Sequence, residues 1–139
     1  MGMRRNSARI DRGITAIVLL HLVVSFVHGA AHQGAAVSLT TAGNVFVWVV
    51  ILAGPLIGLA WLWFVHARSG ALIIAATMGG SLVFGLMNHF VLMGVDHVSR
   101  VDAAWRALFG STAVMLAFIE AIGMVAGLWR TALPQWRTS

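Results

Sequence analysis

Four stretches of this chain are each long and apolar enough to cross a bilayer, and nothing else in the sequence constrains the fold as strongly. A helix needs about 20 consecutive apolar residues to span a hydrocarbon core. Such stretches run over 14–37, 45–65, 71–95 and 107–129. Only short turns separate them, so neighbouring spans are expected to run antiparallel. The expected fold is all-α: a polytopic membrane protein folded as one domain over residues 1–139, an up-down-up-down four-transmembrane-helix bundle.

Composition supports the same class. Apolar residues make up 60% and charged residues 9% of the chain, with a mean hydropathy of +0.91. A soluble domain is about half apolar and about a quarter charged. Cys, Tyr and Lys are all absent, which removes disulfides, thiolate metal ligands, tyrosyl radicals and Schiff bases.

The net charge of +5 comes from arginines concentrated at the termini and in turns, a pattern that orients membrane helices rather than binding nucleic acid. Arg4, Arg5, Arg9, Arg12, Arg68, Arg130 and Arg137 share one side of the expected topology, against Arg100 and Arg106 on the other. The positive-inside rule places both termini in the cytoplasm, and a bacterial inner membrane is the expected location. Tryptophan follows the same division: Trp61, Trp63, Trp129 and Trp136 near the inner boundary, Trp48 and Trp105 near the outer one. The first apolar stretch is longer than the hydrophobic region of a signal peptide, so it is read as a span.

Within that span, "HLVVSFVHGAAHQG" carries His21, His28 and His32 and no acid. At 100° per residue the three fall within about 40° of one another, a single stripe down the helix. Polar groups aligned on one face of a membrane helix point into the bundle, where ionisable residues are functional by default. Helical rise puts His28 and His32 roughly 21 and 27 Å above the inner end, and His89 of the third span roughly 28 Å up. Asp96 and His97 are expected at the outer mouth of the third helix, Asp96 on the face of His89 and His97 turned about 80° away.

The i, i+4 pair His28 and His32 is the spacing by which one helix offers two imidazoles to one metal ion. With His89, Asp96 and His97 it makes a nitrogen-and-carboxylate set suited to a transition metal such as Zn, Fe or Cu. Met93 could add a soft ligand for copper, although methionine at helical spacing is ordinarily packing. The alternative use of the same imidazoles is haem b. His28 or His32 with His89 would be its axial pair, and Gly29, Ala30, Ala31 and Gly85 would make room for the porphyrin.

Glu120 is the one carboxylate within a span, expected to pair with His21 and to serve as a proton or ion relay beneath the outer site. Simpler roles suit other residues. Asp102 is an N-cap, His66 a solvated interface residue, Asp11 with Arg12 surface, and Gly79, Gly80, Gly123 and Gly127 are helix contacts. Ser111 and Thr112 lack a nearby base, so a nucleophilic enzyme is not expected; no catalytic residue is assigned, and the sequence leaves open whether the chain is an enzyme.

The expected function is binding of a transition-metal ion through outer histidines, for metal handling, transport or redox chemistry. A haem b electron-transfer subunit and a structural subunit of a larger membrane complex are the alternatives. The expected partners are the lipid bilayer and a second copy or a larger membrane complex.

Overall fold

The computed structural model describes the backbone of residues 2–133 and the side chains of residues 6–133. Arg137 and Trp136, and the side chains of Arg4 and Arg5, lie outside the described residues. The described chain is all-helical, and four of its helices are long and apolar enough to span a membrane. They are α1 (Gly2–Gly34), α2 (Thr41–Phe64), α3 (Ala67–Val91) and α4 (Ala103–Ala132).

Each helix begins and ends for a local reason. α1 stops where Ala36 takes a positive φ of 51°. The Val37 N–H then caps the His32 carbonyl and the Ala36 N–H the Gln33 carbonyl, the Schellman arrangement that closes a helix. The Thr40 hydroxyl receives the Gly43 N–H to start α2. His66 caps α3 by accepting from the Ser69 N–H, a structural duty beyond the solvated role expected of it. Asp102 caps α4 through the Ala104 N–H, as expected.

Two helices contain a wider, π-type turn. In α2 it covers Val47–Ala53, just ahead of Pro55, whose ring nitrogen cannot donate to the preceding turn. In α3 it covers Met87–Val91 and ends the helix, because Leu92 turns to an extended backbone. α3 therefore stops four residues earlier than the apolar stretch suggested. Met93, Asp96 and His97 lie on the following loop, not on the helix face read from the sequence.

Pairwise contacts run consecutive helices antiparallel. α1 meets α4 at Asp11 and Arg130, at His21 and Glu120, and at His28 and Thr112, a constant antiparallel register over their shared length. α4 lies against α3 so closely that a Cβ on Gly127 would stand 2.7 Å from the Ala71 carbonyl oxygen. α3 meets α2 where Gly70 faces the Leu62 backbone and Gly58 faces Ile74. These glycines set the helix separation through small-residue packing.

The remaining seam is different. α1 and α2 touch at one end, where the Trp63 indole donates to the Thr15 hydroxyl and Ile14 packs with Leu62. Toward the other end a cavity of about 730 Å³ separates them. Between 22% and 33% of the most apolar window of each helix is buried inside the bundle, so most of that apolar surface faces outward. Side chains such as Phe26, Phe118 and Ile122 are more than half exposed. Such an exterior suits a membrane, since lipid is the medium in which that apolar surface costs nothing.

Candidate metal centre

The α1 stripe and the end of α3 bring three imidazoles together inside the bundle. His28 Nε2 lies 3.2 Å from His89 Nε2 and 3.2 Å from His32 Nε2. One nitrogen from each ring lies within 4.8 Å of the others, and no other group of three His, Cys, Asp or Glu that could hold a metal ion occurs among the described residues. His28 and His89 are 7% exposed, which removes bulk water as the partner of their inward nitrogens.

The opposite edges of two of the rings are hydrogen-bonded, and those partners assign their ring protons. His89 Nδ1 sits 3.1 Å from the Asp96 backbone carbonyl, which can only accept, so Nδ1 carries the proton. His28 Nδ1 sits 2.8 Å from the Thr112 hydroxyl. That hydroxyl donates to the Leu108 carbonyl at 2.7 Å, so its oxygen accepts from His28. His32 Nδ1 faces the Asp96 carboxylate oxygen at 3.4 Å. Assigned this way, the Nε2 atoms of His28 and His89 both carry lone pairs and face each other at 3.2 Å, with His32 Nε2 3.2 Å from His28 Nε2.

Converging lone pairs repel unless a cation lies among them. A shared proton satisfies one pair of nitrogens and leaves the third; a metal ion satisfies all three. Tetrahedral ligands at about 2.1 Å from zinc stand roughly 3.4 Å apart, close to two of the three edges here. The third edge lies within 4.8 Å.

Asp96 occupies a different place from the one expected of a first ligand. Its carboxylate lies behind the rings, 3.4 Å from His32 Nδ1 and 3.7 Å from His89 Nδ1, away from the converging nitrogens. A carboxylate there orients and polarises metal-bound imidazoles. Both its oxygens and His32 Nδ1 are buried without a hydrogen-bond partner. The loop that carries it is pinned: the Val98 N–H donates to the His89 carbonyl, and the Arg106 guanidinium holds the Val101 carbonyl at 2.9 Å.

His97 is not brought into the cluster; its Nδ1 pairs with the Ser99 hydroxyl at 2.7 Å. Met93 is 64% exposed and remote from it. His21 and Glu120 meet as expected, Nε2 to Oε1 at 3.1 Å, both almost fully buried. The cavity is lined both by the three histidines and by Glu120, so the two levels face one space.

The geometry is tight for the haem alternative. An iron between two axial imidazoles needs their nitrogens about 4 Å apart, and the His28 and His89 nitrogens are 3.2 Å apart. The His32 ring also stands beside them, where the porphyrin plane would lie.

Sequence reasoning missed three contributors. Thr112 was set aside as a failed nucleophile, yet it supports His28. Phe109, fully buried, packs against all three imidazoles with ring centroids 4.9, 4.7 and 5.1 Å away. Asp11 is no surface partner of Arg12; its two carboxylate oxygens accept from Nε and Nη2 of Arg130, at 2.6 and 3.3 Å. The available signal was α4's own stripe, in which Phe109, Thr112, Leu116, Glu120, Gly123, Gly127 and Arg130 recur at helical spacing and are all buried.

Comparison with protein-family models, with curated proteins and with solved structures found no match.

Proposed function

We propose that this membrane protein binds one divalent transition-metal ion through His28, His32 and His89, with Thr112 and Asp96 fixing the rings from behind. The observation that carries the reading is three imidazoles with a nitrogen each within 4.8 Å of the others, the Nδ1 edges of His28 and His89 being turned to acceptors so that their Nε2 atoms face each other at 3.2 Å. Neutral nitrogen donors without thiolate suit Zn, Fe(II) or Cu(II), and three protein ligands leave a further position open.

The same reading takes both termini as cytoplasmic and the metal centre as facing the outer side of a bacterial inner membrane. Its support is the excess of Arg9, Arg12, Arg68 and Arg130 at the end opposite the histidines. Metal handling is the role proposed for the site. A relay through His21 and Glu120 belongs to the proposal because one cavity reaches both levels.

The test is elemental analysis with an optical spectrum of the purified protein. One Zn, Fe or Cu per chain, lost in His28→Ala and His89→Ala, is the expected result. A Soret band would replace the bare ion by haem. No metal, with unchanged stability in both variants, would leave only a packing role for the histidines.

A further inference from the structure

The open seam between α1 and α2 gives the metal centre a neighbourhood that a simple storage site does not need. The cavity is walled on one side by the three histidines and on the other by Val47, Trp48, Ile51 and Leu52 of α2. All four of those residues belong to the π-type turn Val47–Ala53, which gives α2 a wider local coil where it faces the site. π-type turns in α-helices recur at functional sites.

The mouth of the cavity is formed by residues that leave it open. Gly29 and Ala30 line it and are exposed, and a Cβ on Gly29 would meet nothing within 4 Å. Phe26 and Trp48 flank the opening, 60% and 64% exposed on the face that lipid would cover. The space therefore opens sideways, toward the membrane interior, between helices that part at this level.

Charge selects the head group of what enters. A divalent ion on three neutral imidazoles, with the Asp96 carboxylate behind them, leaves one net positive charge at a centre screened from water. An anionic oxygen ligand in the open coordination position neutralises it. Length selects the body. Glu120 meets His21, seven residues before His28, so the floor of the cavity lies roughly 10 Å below the metal by helical rise. The walls over that distance include Leu116 and Ala117. A volume of about 730 Å³ is in the range of small-molecule sites.

Resting on the metal reading above, we infer that the centre binds a lipid-soluble amphiphile of carboxylate class, entering between α1 and α2, its oxygens on the metal and its chain along α2 and α4. Binding here is coordination alone; no bond within the ligand is made or broken.

Cobalt(II) is the probe metal, because its visible bands report a change of ligand. The cobalt-loaded chain, in phosphatidylcholine nanodiscs, is titrated with octanoate and with acetate, which share a head group and differ in chain. Gly29→Leu adds bulk at the mouth, where a Cβ meets nothing within 4 Å, and Ala30→Leu, at the same opening, is the second block. The expected result is a spectral change with octanoate at concentrations at least tenfold below those for acetate. In the blocked variants the octanoate response weakens at least tenfold, while the cobalt bands and the acetate response are retained. Equal responses to both ligands, or an octanoate response indifferent to both blocks, would overturn the inference and leave the metal site standing. Absence of three-histidine cobalt bands in the unmodified chain would overturn the metal reading and the inference together.

Discussion

Asp96→Asn separates what the carboxylate does for a bound metal from what it does to the empty protein, and the two effects have opposite signs. With metal–nitrogen bonds of about 2.1 Å, an ion on the Nε2 atoms lies roughly 6 Å from the carboxylate behind the rings. At an effective dielectric near 20, a divalent charge at that distance gains about 5 kcal/mol, which is a ceiling because burying the carboxylate opposes it. Carboxylates placed behind metal-bound histidines typically contribute tenfold to hundredfold in affinity, or about 1.4–2.8 kcal/mol. Asparagine keeps the volume and the backbone carbonyl that holds His89, while removing the charge and turning one acceptor oxygen into an NH2 donor. Zinc affinity, measured by competition with a chromophoric chelator, is expected to fall by about 10- to 100-fold. In the metal-free protein the same carboxylate is buried with both oxygens unpartnered, so its removal is expected to raise the unfolding temperature in detergent. Affinity unchanged within about twofold, or a destabilised metal-free protein, would refute the placement of Asp96 as a charge acting through the rings.

Other predictions follow from single contacts. Thr112→Val removes the acceptor for His28 Nδ1, so the ring can exchange tautomers and present a proton to its neighbours; zinc affinity is expected to drop about tenfold, and nitrogen NMR of the metal-free variant to show an Nε2-protonated His28. Phe109→Ala opens a void under all three imidazoles and is expected to cost about 3–5 kcal/mol in unfolding titrations. Arg130→Met alone strands Asp11 and is expected to cost about 3 kcal/mol, much of it recovered in the double variant with Asp11→Asn, as a double-mutant cycle will show. Gly127→Leu must push α3 and α4 apart, because even a Cβ there meets the Ala71 carbonyl and Ala75; loss of the folded fraction in size-exclusion chromatography is the readout.

The four helices and the α1 stripe were legible because each follows from a local rule. Span length reveals apolar helices, and the spacing of His21, His28 and His32 puts them on one face whatever they meet. The depth argument also placed His89 level with His32, one turn above His28, since helical rise is nearly constant. What failed was the extrapolation of α3 beyond Val91. Apolar residues up to Val95 read as helix, but the π-type turn at Met87–Val91 ends it, and Asp96 returns to the site on a loop. A periodicity argument carries no information about a loop that folds back. Thr112 and Phe109 were hidden for another reason: a threonine or phenylalanine in a membrane helix is ordinary in composition, and only the register of α4 against α1 shows that both face the histidines. The α1–α2 seam was likewise invisible, because it depends on where two helices part rather than on any residue type.

The most direct test of the central claim is X-ray absorption spectroscopy of the zinc-loaded protein at one equivalent of metal. Three imidazole nitrogens near 2.0–2.1 Å, with one further oxygen and the multiple-scattering signature of histidine, is the predicted first shell. A shell with fewer than two histidines, or an ion removed by brief washing with a weak chelator, would contradict the account.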